Sequence, residues 1–139
     1  VASENASFST AFVRIGLVPD SGLSFLLPRL VGYGRAMELI LLSEKIDAKR
    51  AYEIGLVNRL YPADGLLAGA QLLAGELARG PRAVGLAKRE LARNTFVSNS
   101  AEDALAFEAE MQAIAGETED FREGLASFRE KRPPRFAGR

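Results

Sequence analysis

The most chemically suggestive stretch of this sequence is Ile15-Gly16-Leu17-Val18-Pro19-Asp20-Ser21-Gly22, which puts a carboxylate at a turn on the threshold of a helical pattern. A helix N-terminus offers amides and a partial positive charge that favour the anion. Phe12, Leu17, Leu23 and Phe25 are close enough in sequence to exclude water and favour the neutral acid. A carboxylate balanced in this way can carry protons as a general acid–base or attack as a nucleophile. The same Pro-Asp-Ser-Gly segment also reads as ordinary turn chemistry, with Asp20 doing no more than capping a helix. Other routes to catalysis are closed by what the chain lacks. Among 139 residues there is no His and no Cys. The chain therefore cannot build a Ser-His-Asp or Cys-His nucleophile, a thiolate or imidazole zinc site, or a disulfide from its own residues. Carboxylates, hydroxyls, Lys, Arg, Tyr and backbone amides remain, and no metal site is expected.

Composition bounds the class. Eighteen Lys and Arg balance eighteen Asp and Glu, so no basic surface points to nucleic acid. Apolar runs such as Leu39-Ile40-Leu41-Leu42 are too short to span a membrane. The length suits a single core, and the absence of cysteine fits a cytoplasmic location. The chain opens on Val1, and residues 1–8 resemble neither a cleavable leader nor a tag. A start inside a longer protein is the expectation.

Helices should position these groups. Asp20 and Ser21 can cap one through Leu23, Phe25, Leu26 and Leu27, with Pro28 bending or ending it before Gly32 and Gly34. A second is predicted over 35–42, with Met37, Ile40 and Leu41 on one side. Asp47 can cap a third over 48–54, stopped at Gly55, and 56–61 alternates apolar and polar side chains like a strand. Leu66, Ala70, Leu73 and Leu77 form an amphipathic stripe, broken at Gly80 before Pro81 opens the next helix. Ser100 begins a capping-box pattern, and Ala104, Phe107, Met111 and Ile114 predict a buried face behind it. The faces of 66–77 and 104–114 are expected to need a partner subunit or a preceding segment to cover them. Residues 102–120 hold seven acids and no base, and 122–139 hold six bases and two acids. That asymmetry is read as solvated surface. Phe121, Leu125 and Phe128 continue a helical stripe until Pro133-Pro134 forbids more helix.

Four longer blocks carry a resemblance. They are Phe12-Val13-Arg14-Ile15-Gly16-Leu17-Val18-Pro19-Asp20-Ser21-Gly22, Leu27-Pro28-Arg29-Leu30-Val31-Gly32, Ala48-Lys49-Arg50-Ala51-Tyr52-Glu53-Ile54-Gly55-Leu56-Val57-Asn58 and Glu123-Gly124-Leu125-Ala126-Ser127-Phe128-Arg129-Glu130-Lys131-Arg132-Pro133-Pro134-Arg135-Phe136. In order and extent they resemble the crotonase, or enoyl-CoA hydratase/isomerase, superfamily. The Pro19-Asp20-Ser21-Gly22 block with Leu26-Leu27-Pro28-Arg29, and the segment Ala115-Gly116-Glu117-Thr118-Glu119-Asp120-Phe121-Arg122-Glu123-Gly124, look most like the epoxyphenylacetyl-CoA isomerases of that superfamily.

The resemblance implies an α/β fold, a spiral of ββα units, of which this chain is the C-terminal, mainly helical half with only short strands. Residues 1–62 would be the end of the spiral core with the catalytic turn, and 63–139 the helical, oligomer-forming region. It also implies an acyl-CoA thioester as substrate, no cofactor beyond the coenzyme A the substrate carries, and a homo-oligomer, trimer or hexamer. The family's backbone N–H donors for the thioester oxygen belong upstream of these blocks. Hydratases of the family place a glutamate where Phe12 stands, which disfavours hydration. Double-bond isomerases and dehalogenases place a working carboxylate at the position of Asp20. Phe12, Leu17, Gly22 and Phe25 would then line the acyl site, and Phe128 and Lys131 of the terminal Phe-x-x-Lys-Arg signature the coenzyme A cleft. Arg29 and Lys88 are read as surface or structural. The expected reaction is a double-bond shift, or the rearrangement of an epoxyphenylacetyl-CoA, with Asp20 as the single acid–base. Hydration, dehalogenation, and a purely helical assembly or binding module are the alternatives.

Overall fold

A computed structural model describes all residues, Val1–Arg139, and divides into two compact units, Val1–Leu72 and Leu73–Arg139. In chain order the elements are β1 (Ala2–Ser3), β2 (Ser7–Phe8), a 3-10 turn (Val13–Ile15), α1 (Leu23–Val31), α2 (Tyr33–Leu42), β3 (Ile46–Asp47), α3 (Ala48–Glu53), β4 (Leu60–Tyr61), α4 (Leu66–Ala78), α5 (Ala83–Phe96), α6 (Ala101–Gly116) and α7 (Glu119–Glu130). The chain is predominantly helical with short strands, as the resemblance implied.

The first unit is tied together by pairings between distant segments. β1 runs parallel to β4, with Ala2 opposite Leu60 and Ser3 opposite Tyr61, and β2 runs antiparallel to β3. Only Leu60–Tyr61 of the alternating stretch 56–61 forms strand, because its sole partner is two residues long. α3 is the hub. Asp47 caps it by accepting from the Arg50 amide at 2.7 Å, and its Ala48 and Ala51 are fully buried. Leu27, Val31, Ala36 and Ile54 form one core cluster, and Ala51 joins Ala2 and Val57 in another. On α2 the buried stripe runs through Ala36, with Leu39 and Ile40 packed beside it, so the expected face is corrected: Met37 and Leu41 are exposed. Pro28 sits inside α1, which continues to Val31.

The division between units falls inside α4, whereas the sequence reading placed its boundary at residues 62 and 63. Pro62 ends a strand, yet the chain beyond it still belongs to the first unit, because Gly69 packs against the Tyr61 ring so closely that a Cβ would overlap it. Gly69→Ala is expected to destabilise the fold by about 1–3 kcal/mol in urea unfolding.

In the second unit Ser100 caps α6 by accepting from the Asp103 amide at 3.0 Å, and Phe107 and Met111 are buried as expected. α5 supplies their cover: the Arg93 guanidinium lies 4.4 Å from the Phe107 ring centroid and also pairs with Asp103 at 2.8 Å. The Phe107 and Met111 part of the α6 face therefore meets α5 inside the unit, while Ala104 and Ile114 are only partly buried. On α7 the apolar stripe faces outward. Phe121, Leu125 and Phe128 are exposed, and the buried residues of this helix are Asp120 and Ser127.

Candidate active site

The turn that carries Asp20 is shaped by its backbone. Phe12 opens the 3-10 turn, and its carbonyl accepts from the amides of Ile15 at 3.1 Å and Leu17 at 3.0 Å. Gly16 follows in the left-handed region, at φ 77°. The start of the loop is tied to α2 and its end by partly buried polar contacts: the Thr10 hydroxyl donates to the Leu39 carbonyl at 2.6 Å, and the Ser43 hydroxyl donates to the carbonyls of Thr10 at 3.1 Å and Ile40 at 2.9 Å. Ser43 is itself left-handed, at φ 51°, and almost fully buried, so its strain is held in place by packing on every side.

Beyond Pro19 two successive residues adopt left-handed backbone, Ser21 at φ 51° and Gly22 at φ 79°. The Asp20 carbonyl accepts from the Leu23 amide at 2.8 Å, and the Gly22 carbonyl accepts from Phe25 and Leu26. Gly22 is the cap residue of α1, and no side chain caps that helix. This removes the capping role from Asp20 and Ser21. The Asp20 carboxylate is exposed and accepts no hydrogen bond from the chain. A second correction concerns its surroundings. The four apolar residues expected to enclose it do not: Leu17 is 56% exposed, Phe25 lies under the Arg29 guanidinium at 3.6 Å, Leu23 turns into the core cluster, and Phe12 is half-buried where it opens the 3-10 turn. Ile15, Leu17 and Val18 instead form an uncovered apolar run leading up to the carboxylate.

Phe12, Leu17, Asp20, Gly22 and Phe25 thus occupy one continuous loop-to-helix segment of the first unit. Phe128 and Lys131 belong to the second unit, at the C-terminal end of α7. Phe128 is 85% exposed and Lys131, also exposed, takes a left-handed conformation at φ 53°. Neither Thr10 nor Ser43 stood out in the sequence, and no local signal could have found them, since 33 positions separate the two. Glu123 was likewise missed, although its carboxyl is drawn down to about 2 by hydrogen bonds from the Arg132 side chain and then from the Arg135 amide.

The whole chain, residues 1–139, matches the family model described as enoyl-CoA hydratase/isomerase. The chain belongs to this family. A protein of Rhodobacter capsulatus named "Probable enoyl-CoA hydratase" is 43% identical over 139 residues, covering 100% of this chain and 54% of that protein. The 1,2-epoxyphenylacetyl-CoA isomerase of Escherichia coli is 38% identical over 140 residues, covering 100% of the chain and 53% of the isomerase. Among solved structures, an enoyl-CoA hydratase from Bacillus anthracis superposes with a TM-score of 0.90 at 34% identity, over 99% of this chain and 53% of that one. The chain thus spans about half the length of the enoyl-CoA hydratase/isomerase relatives it matches.

Proposed function

We propose that this chain supplies the acid–base half of an acyl-CoA isomerase, with Asp20 as the residue that moves the proton. The observation carrying this reading is the Asp20 carboxylate itself: it is exposed, caps nothing, bonds to nothing in the chain, and stands on a turn held by two left-handed residues. Strained backbone beside an unengaged acid is what a positioned reactive group looks like. Phe12 supports isomerisation over hydration, because a phenyl ring can neither activate water nor deliver a proton.

In the proposed reaction the carboxylate takes a proton from the carbon alpha to the thioester carbonyl of a 3-enoyl-CoA. The electron pair moves onto the thioester oxygen, giving a dienolate. Backbone N–H donors outside this chain would hold that oxygen. The protonated Asp20 then returns its proton to the gamma carbon, which leaves the double bond in conjugation and restores the carboxylate. One base serves both steps. A low-polarity cover over Ile15, Leu17 and Val18 would make the acid a stronger base, since a dry site disfavours the anion. Phe128 and Lys131 are proposed to meet the adenine and the phosphate groups of coenzyme A, a ring for stacking and a compact cation for phosphate. The same scaffold would accept an epoxyphenylacetyl-CoA. No helix is long and apolar enough to cross a membrane.

The full-length gene product tests the proposal directly. Given a 3-enoyl-CoA it should produce the conjugated 2-enoyl-CoA, with little hydration of that product. Rapid conversion of 2-enoyl-CoA to the 3-hydroxyacyl thioester would instead favour a hydratase, the activity named for the Rhodobacter relative.

A further inference from the structure

The residues after α7 fold back along the helix they have just left. Two bonds close its end: the Lys131 amide donates to the Phe128 carbonyl at 3.3 Å, and the Arg132 amide donates to the Ser127 carbonyl at 3.1 Å. This pair is the usual way of terminating a helix on a left-handed residue, a place normally given to glycine. Here it is Lys131, at φ 53°, a residue whose Cβ makes the left-handed backbone unfavourable. Something must hold it in that state.

The acids at the start of α7 do so. Both oxygens of Glu123 accept from the Arg132 fork, Nη1 at 2.5 Å and Nη2 at 2.9 Å, and its Oε1 also accepts from the Arg135 amide at 2.7 Å. Arg132 Nε reaches Glu130 at 2.5 Å, so the guanidinium is held on two edges. One turn earlier, Asp120 accepts from the amides of Ala137 at 2.6 Å and Arg82 at 2.9 Å, and its own amide donates to the Arg139 carbonyl at 3.0 Å. Glu119 pairs with Arg139 at 3.0 Å. Glu119, Asp120 and Glu123 thus bind the returning tail at three successive points, and the point nearest Lys131 is Glu123, through the very next residue.

We infer that Glu123 is a positioning residue for coenzyme A binding: by gripping Arg132 and the Arg135 amide it fixes the left-handed Lys131 in the conformation from which its ammonium engages the phosphate groups. The inference rests on the reading of Lys131 as a phosphate ligand, and deepens it by assigning the group that holds the ligand. Low proton affinity of the Glu123 carboxyl keeps this grip intact throughout the neutral range.

A double-mutant cycle in the full-length protein tests it, with the dissociation constant of free coenzyme A from titration calorimetry, and kcat and KM, as readouts. Lys131→Ala and Glu123→Gln are each expected to weaken coenzyme A by about tenfold, the worth of one charge-assisted contact, and to raise KM by more than they lower kcat. The double variant should bind no more weakly than Lys131→Ala alone, because Glu123 acts through Lys131. Arg132→Lys keeps the charge, loses the fork and should behave like Glu123→Gln, which covers a failure of the latter to fold. Additive losses in the cycle, or unchanged affinity in both Glu123→Gln and Arg132→Lys, would overturn the assignment of Glu123 while leaving Lys131 as ligand. Unchanged affinity in Lys131→Ala would remove the phosphate ligand itself, and the proposal with it.

Discussion

Asp20 and Asp120 stand at comparable places, each just ahead of or at the start of a helix, and the fold uses them in opposite ways. Asp120 is 3% exposed. Burial alone would raise its pKa, yet backbone amides of Arg82, Ala137, Gly138 and Arg139 bring it below the ordinary carboxylate value. Its lone pairs are committed to structure. Asp20 is exposed, and α1 is capped without it. A carboxylate that accepts several amide protons is a poor base, whereas one left without partners is available to a substrate. The contrast separates the two regions of the chain: the Asp20 turn keeps a reactive group free on a braced backbone, and the α7 tail spends three acids on holding its own shape.

The contrast predicts that Asp20→Asn costs far more in turnover than in stability. The expected loss of isomerase kcat in the full-length protein is on the order of 10²–10⁴-fold, with an unchanged melting temperature. Asp120→Asn should do the reverse, since an amide group cannot accept on both sides. A fall in Tm on the order of 5–10 °C, read by calorimetry, is expected with kcat largely kept. Acid should loosen the tail. Because the Glu123 carboxyl is held at about 2 against an ordinary 4.5, its contribution to stability is complete above pH 4.5 and is lost as the pH falls through that interval towards 2. The protection factor of the Arg135 amide against hydrogen exchange, taken relative to the intrinsic rate at each pH, should fall as the pH goes from 4.5 towards 2. The smallest effect concerns Lys131: Lys131→Gly relieves the left-handed strain and should stabilise the protein by about 1 kcal/mol in denaturant titration while weakening coenzyme A. A lysine kept only for helix termination would gain stability and lose no affinity.

Much of the helical framework was legible in sequence because its signals are local. Asp47 and Ser100 each lie three residues before the amide they cap, and both caps form. Phe107 and Met111 sit four apart and share a buried face. Contacts made across long stretches of chain were not legible. The spacing of Phe121, Leu125 and Phe128 reveals a stripe without saying which side of the helix meets the core, and the tail decides that by covering Asp120. Arg132 and Glu123 read as parts of a charge asymmetry rather than as a grip, and Ser43 reads as a loop residue until Thr10 is seen against it. At the site, the sequence singled out Asp20 but assigned it apolar walls that the chain does not fold around it. Leu17 and Val18 are left uncovered there.

Proton transfer at the alpha carbon of the thioester tests the central claim about Asp20 most directly. The full-length protein and its Asp20→Asn variant would be incubated with a 3-enoyl-CoA in heavy water, and deuterium at the alpha and gamma carbons followed by mass spectrometry alongside the double-bond shift. The expected result is exchange and isomerisation in the parent protein and the loss of both, by orders of magnitude, in a variant that remains folded. Equal exchange in the two proteins would contradict the assignment and leave Asp20 as an unengaged surface acid.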